Sequence, residues 1–445
     1  RQNSSILLSK VSRVQNHIGI GNYFVKKKAL NPEQKRQLRE SGLFLTTMTK
    51  EKGKESYEAS NILYHGALLA KEEGDAPQFY LMISKAKAML PPDCLGKNYA
   101  FYRDVCLTNC EAAASVGEVL EVEEICHELQ RNANSNEDKL KGLRYQFNAQ
   151  KSANMLEKAI ETGRQALTLM GFFVPFSLTP VQKKIITAKV ELILLQKRTV
   201  FSTLVLNKEE CEMAIYFISE LSPIVFSQNP ALLIYLSYLT LQVSIKNKFG
   251  KDGVALGYML YGLIQCQSES GNIKKGIDLG RKAMEMVSGG ERTPVSSTVE
   301  FLGANFLIHW QAHLKHSLPP LYRLISNGET NKLSDAPVIL NAISYRKIFL
   351  AEKLEDIDSE LNELRRTIDQ VGDQVHVYRQ MIYQQVTENL MSKSGDPVLL
   401  DGTHYNEKKL LADHIKSHDI ITLFQFYVLK MMLCCIFRDF RKGLQ

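Results

Sequence analysis

The sequence predicts an all-α protein, an α-α superhelix in which about twenty helices stack as pairs. Three observations predict it. Apolar residues recur at three- and four-residue steps along most of the chain, and strand-type alternation is nearly absent. Only 13 prolines and 26 glycines occur in 445 residues, so long helices are allowed. First helices also return at roughly 40-residue spacing, which is the mark of a repeat array. Such an array escapes the size limit of a single core, because each unit touches only its neighbours.

The elements follow in order. Ser5–His17, Glu33–Thr49 and Glu55–Lys71 open the chain as three helices, with Pro32 at a first-turn position where its missing N–H costs nothing. Gly74 breaks the chain before Gln78–Leu90 and the stop at Pro91–Pro92. Asn98–Ser115 ends before Gly117 and pairs with Val119–Arg131, and Asp138–Lys151 is followed by Met155–Met170. The apolar stretch Gly171–Pro180 is the largest break. Val181–Arg198, Lys208–Gln228 and Ala231–Lys248 come next, then the pair Asp252–Gln267 and Ile273–Val287 joined at Gly271. Ser296–His316 and Pro319–Asn327 lead to Asp335–Leu350 and to Leu354–Gln370, whose Leu354, Ile357, Leu361, Leu364 and Ile368 form one buried stripe. Gln374–Ser392, Asn406–Ser417 and Asp419–Phe437 complete the set.

Small residues at helix crossings give the pairs a tetratricopeptide-like look. Gly66 and Ala86 stand at such positions in the pair that ends at Pro91. The spacing is longer than the strict 34 residues of that repeat, so the array is degenerate. We divide it into lead-in helices at 1–50, linking to an upstream domain, and repeat blocks at 51–176, 177–330 and 331–445. The start at Arg1, and the helix that begins near Arg441 as the sequence stops, predict a piece of a longer polypeptide with a truncated last block.

Composition narrows the function classes. Hydrophobic content of 44% and charged content of 23% exclude wholesale disorder. The net charge of +7 is dispersed in short runs such as Lys183–Lys184 and Lys274–Lys275, which does not make a nucleic-acid footprint. The eight cysteines sit inside apolar helical patterns, which suits buried free thiols in a reducing, cytoplasmic setting. Ile420–Phe437 approaches the length of a bilayer span, but Lys430 interrupts it, so a buried helix is expected there and no membrane partner.

No catalytic, cofactor-binding or metal-binding residue is assigned. Phosphate-cradling glycine loops of the GxxxxGK and GxGxxG types are absent, and Gly250–Lys251–Asp252–Gly253 reads as a helix connection. His309, His313 and His316 could share one helix face, and His414 with His418 is a second pair flanked by Asp413 and Asp419. The first group lacks the glutamate of an HExxH site, since Trp310 follows His309, so packing and surface roles are expected. Cys106 and Cys110 share a face with Cys126 on the next helix, and buried thiols are again expected. Trp310, the only tryptophan, is expected in the core, with an anchor role in binding as the alternative.

Four stretches, in order, resemble one family. They are Val14–Gln15–Asn16–His17–Ile18; Ala159 to Leu167 with Met170–Gly171 and Pro175; Gly257 to Gly262 with Gly271, Gly276, Gly280 and Ala283; and His309–Trp310 with Leu314, Leu318 and Ala342 to Tyr345. Together they are similar to the helical repeat region of very large signalling proteins. In those proteins a serine/threonine-kinase-like domain and a predicted AAA/STAND-type ATPase precede the repeats, and GAF or PAS sensors with a histidine kinase often follow. The resemblance implies a regulatory scaffold that binds protein, either neighbouring domains or a ligand, with no catalytic residue and no cofactor of its own. The alternative is a free-standing tetratricopeptide-type adaptor that docks a peptide in its concave groove.

Overall fold

A computed structural model describes residues 2–27, 29–47, 54–196, 206–247, 250–267, 271–290, 292–326, 336–350, 352–371, 374–416 and 419–443. The chain is all-α: twenty-two α-helices and three short 3-10 helices, with no strand among the described residues beyond one isolated bridge between Asp401 and Asn406. It forms two compact units, Arg1–Phe173 and Val174–Gln445. The boundaries expected at 50/51 and 330/331 lie outside the described residues.

The first unit holds α1 (Gln2–Val25), α2 (Pro32–Thr46), α3 (Lys54–Glu72), α4 (Ala76–Ala88), α5 (Cys94–Lys97), α6 (Tyr99–Ser115), α7 (Val119–Asn132), α8 (Asn136–Ser152) and α9 (Leu156–Leu169). From α1 to α4 and from α6 to α9, each long helix packs on the next in sequence, α4 packs on α6, and alternate helices also touch, as in α2 with α4 and α6 with α8. Leu45, Ile62, Met82, Ile83 and Val105 are fully buried between them. Starts and stops follow local chemistry. Asn31 makes a capping box with Gln34 ahead of Pro32. The α9 helix ends in a Schellman turn: Phe172 N–H bonds the Leu167 carbonyl at 2.9 Å and Gly171 N–H the Thr168 carbonyl at 2.9 Å. That turn needs the left-handed backbone of Gly171 (φ 86°), and it brings buried Phe172 over buried Leu167.

The second unit holds α10 (Pro180–Gln196), α11 (Lys208–Gln228), α12 (Leu233–Lys246), α13 (Lys251–Gln267), α14 (Ile273–Val287), α15 (Pro294–Phe306), α16 (Leu318–Ser326), α17 (Ala336–Phe349), α18 (Leu354–Val371), α19 (Gln374–Leu390), α20 (Glu407–Lys416), α21 (Ile420–Ile436) and α22 (Phe440–Gly443). Its tightest packing is α12–α13–α14, and glycines make it possible. A Cβ at Gly257 would lie 2.6 Å from Leu241, one at Gly262 would lie 2.8 Å from the Gly276 carbonyl, and one at Gly276 would lie 2.6 Å from the Gly262 carbonyl. Gly262 and Gly276 therefore mark backbone-to-backbone contact of α13 with α14, whereas Gly257 makes room for the Leu241 side chain.

Several side-chain bonds between helices join residues 36 to 43 positions apart, while others in the second unit span 70 to 84. Asn22 donates to Glu58, 36 residues on, at 3.0 Å. Tyr99 donates to Asp138 at 2.7 Å, 39 residues on, and Tyr80 donates to Glu121, 41 residues on. In the second unit Thr293 bonds Asp252 at 2.5 Å across 41 residues, and Arg379 donates to Thr422 at 2.8 Å across 43. In these places residues about 40 apart in sequence are neighbours in space.

Two expected boundaries are corrected. The first helix does not stop at His17 but runs on to Val25, because Gly19 and Gly21 do not break it. Gly21 instead lets α1 approach α3, where a Cβ would lie 2.6 Å from Ile62. The expected helix Ser296–His316 ends at Phe306. Its end is set by tertiary contact: buried Leu307 drops onto the bare face of Gly280, and the chain continues in the 3-10 turns Ile308–Trp310 and Leu314–Ser317.

Candidate functional site

The connection between α15 and α16 is organised from below by one buried cation. Arg346 of α17 is 5% exposed. Its Nε donates to Ser317 Oγ at 2.8 Å, one Nη to the Ala342 carbonyl at 2.7 Å, and the other Nη to the Asn305 carbonyl at 2.8 Å. Asn305 lies in the last turn of α15, where carbonyls have no partner within the helix and carry the negative end of the dipole. Burial pulls the Arg346 pKa down to about 10 against the nearby tyrosines Tyr345 and Tyr383, which raise it. The group is still a cation at neutral pH, and it acts as a clamp rather than an acid.

Above the clamp the chain makes an exposed knuckle. Trp310 is 43% exposed, which corrects its expected place in the core. Its ring centroid lies 5.5 Å from that of His309, at an interplanar angle of 34°. Partial burial, with the Arg346 charge behind it, lowers the His309 pKa. His313 Nδ1 accepts the Lys315 N–H at 3.2 Å. The helix break puts His309 in one 3-10 turn, His316 in the next and His313 at the extended N-cap between them, so they do not share one helix face.

The second histidine group is divided. His418 lies outside the described residues. His414 is buried, stacked near-parallel on Tyr405 at 6.1 Å and edge-on to Tyr378 at 5.1 Å. Burial lowers its pKa, while Asp419 and Asp413 oppose the shift. Asp419 caps α21 through the Thr422 N–H and pairs with Arg379 at 3.1 Å, so its carboxylate serves packing. No group of three potential metal ligands converges among the described residues.

Cys106, Cys110 and Cys126 are buried in α6 and α7. Burial pushes Cys106 and Cys126 up to about 12 and Cys110 well above its ordinary range, so all three are neutral thiols without nucleophilic character. Seven of the eight cysteines are buried; Cys435 is exposed. In Gly250–Lys251–Asp252–Gly253, Asp252 accepts the Thr293 hydroxyl and Gly253 lies under Ser244, so this connection also serves packing.

Three surface features were not read from the sequence. One is an open groove of about 510 Å³ between α1 and α2, where His17 stacks on Phe44 at 4.1 Å and Ile20 and Tyr23 line the opening. A second is an exposed apolar stripe on α10, formed by Val181, Ile185, Leu192 and Leu195. The third is on α21, expected to be buried throughout, which buries Phe426, Leu429 and Leu433 and exposes Phe424, Tyr427 and Met431. Three- and four-residue steps on two faces of one helix were the available signal, and they read equally as an all-round buried helix. Lys430 within α21 pairs with Glu407, and no described helix is long and apolar enough to cross a membrane. No known protein family, curated protein or solved structure matches the chain.

Proposed function

We propose that the chain is a non-catalytic helical-repeat scaffold, the protein-interaction region of a large signal-transduction protein of the ATPase and kinase type. The observation that supports it best is the set of side-chain bonds that tie residues 36 to 43 positions apart. Helix pairs that rest on their sequence neighbours present long surfaces instead of one enclosed site, and proteins built this way bind other proteins along those surfaces. The polar groups that could have formed a reaction centre support the same reading. Arg346 holds a helix end, Asp419 caps another, and the Cys106, Cys110 and Cys126 thiols are neutral. The likeness of the four stretches to the repeat region of signalling ATPases supplies the biological setting, and the buried free thiols fit a reducing cytoplasm.

Calorimetric titration of ATP into the purified 445-residue chain tests the reading. No heat of binding is expected. A saturable heat with a defined stoichiometry would sink the proposal, because it would place a nucleotide site in the repeats themselves.

A further inference from the structure

The turn between α15 and α16 lifts the only tryptophan of the chain into solvent, where Trp310 is 43% exposed. We propose that this knuckle, Leu307–Ser317, docks an acidic segment of a partner protein, with Trp310 as the apolar anchor and Lys315 as the exposed counter-charge. It gives the protein-binding scaffold a site and a partner, and it rests on that reading of the chain.

A protruding aromatic side chain anchors a partner well when holding it still costs little. Here the turn is fixed at both flanks. The Arg346 guanidinium donates to the Asn305 carbonyl ahead of the turn at 2.8 Å and to Ser317 Oγ at its end at 2.8 Å. Leu307 is seated on Gly280. Within the turn, the Trp310 N–H bonds the Leu307 carbonyl at 3.1 Å, and the Gln311 and Ala312 N–H groups bond the Ile308 carbonyl at 3.1 and 3.0 Å. Arg281 of α14 braces Gln311 Oε1 at 3.4 Å. The indole is thus presented from a preformed turn, and tryptophan is among the residues that carry most of the energy at protein interfaces.

Charge selects the partner. Residues 301–328 contain no aspartate or glutamate. Arg346 gives its hydrogen bonds to a hydroxyl and to carbonyls, and no carboxylate among the described residues pairs with it, so its charge stands uncompensated behind the turn. Lys315 is exposed and has no ion pair among the described residues. On the helices packed against the turn, Asp278 is paired with Arg281 and Glu300 with Arg292. Glu285 of α14 is the one carboxylate on those helices without an ion pair among the described residues. A carboxylate-rich segment meets complementary potential here, and an apolar side chain within it covers the indole. Nucleic acid fits less well, because it needs a row of cations that tracks its phosphates. Lipid fits less well, because His309, Gln311 and His313 surround Trp310 where an interfacial helix would place apolar side chains.

Trp310 is its own reporter. The full chain is titrated with a short peptide of glutamates around one central leucine, and with the same peptide made in lysine. The glutamate peptide should shift Trp310 emission saturably to the blue, and the lysine peptide should not. A fluorescein-labelled glutamate peptide, read by anisotropy, extends the measurement to variants. Trp310→Ala should weaken its binding by on the order of 10-fold or more, and Lys315→Glu by about 5-fold. Both positions are exposed, and circular dichroism should show the helix content of both variants unchanged. No saturable binding, equal binding of the two peptides, or a Kd indifferent to Trp310→Ala overturns the proposal. So does Trp310 emission that responds to oligothymidylate, or to vesicles of phosphatidylcholine and phosphatidylserine, and not to the glutamate peptide. Each of these failures leaves the scaffold reading standing, since the ATP titration tests that separately.

Discussion

Adding one methyl group at Gly276 separates two effects of opposite sign. In a helix interior, glycine to alanine favours the folded state by about 1 kcal/mol through backbone entropy. At Gly276 the new Cβ would meet the Gly262 carbonyl oxygen at 2.6 Å and Cys266 Sγ at 2.5 Å. Carbon and oxygen in contact sit at roughly 3.3 Å or more, so the carbonyl would have to retreat by about 0.7 Å. It belongs to a helix backbone and cannot rotate aside, so α13 and α14 must separate along their crossing. Overpacking of this kind costs about 1–3 kcal/mol, and a backbone clash lies at the upper end. The net expectation for Gly276→Ala is a loss of about 1–2 kcal/mol. Gly19 in α1 is the control, because a Cβ there meets nothing within 4 Å. Gly19→Ala should stabilise by about 0.5–1 kcal/mol. Urea unfolding gives both numbers, with Trp310 emission reporting on the second unit and circular dichroism on the whole chain. If Gly276→Ala proved neutral or stabilising, close backbone contact between α13 and α14 would be refuted.

Three further outcomes are expected. Acrylamide should quench Trp310 nearly as well as a free indole, and Trp310→Phe should change stability by no more than about 0.5 kcal/mol; a blue-shifted, protected emission would return Trp310 to the core. Arg346→Lys cannot reach Ser317 and both carbonyl neighbours at once, so unfolding should come about 2 kcal/mol earlier with a matching change at Trp310; wild-type stability would show that the clamp is dispensable. Because burial lowers the His414 pKa below 6.5, the unfolded chain binds the proton first. Its contribution is complete above pH 6.5 and is lost as pH falls toward the folded-state pKa, so acid should destabilise the second unit and His414→Phe should flatten that slope, an unchanged slope counting against the assignment.

Most helices were legible because their ends are local. Asn207 with Glu210, Thr293 with Ser296, and the glycine stop at Gly171 carry their own capping bonds, and such bonds are written in short sequence windows. The errors came where a distant residue decides. The first helix, expected to end at His17, runs through Gly19 and Gly21 to Val25, and Gly21 is a contact surface for Ile62. The end of α15 depends on Gly280 and Arg346, which lie 27 residues before and 39 residues after Leu307 respectively, and no local pattern announces either. An unbroken helix through Trp310 would carry it into the core, whereas the break after Phe306 leaves it exposed. The α21 stripe was visible as hydrophobicity, but only packing shows which half of the helix is covered.

The bonds between residues about 40 positions apart also bear on how the chain is made. A ribosome adds roughly 5–20 residues per second, so the second member of each such bond emerges roughly 2–9 s after the first. Helices form in microseconds, far faster than that interval. Each pair can therefore wait, formed but half covered, until the next arrives to close it. Assembly would proceed from the N-terminus as a moving front. In the second unit the wait is longer, because Glu191 of α10 meets Tyr261 and Lys275 only after 70 and 84 further residues, so several helices there would stand half covered on a stalled ribosome.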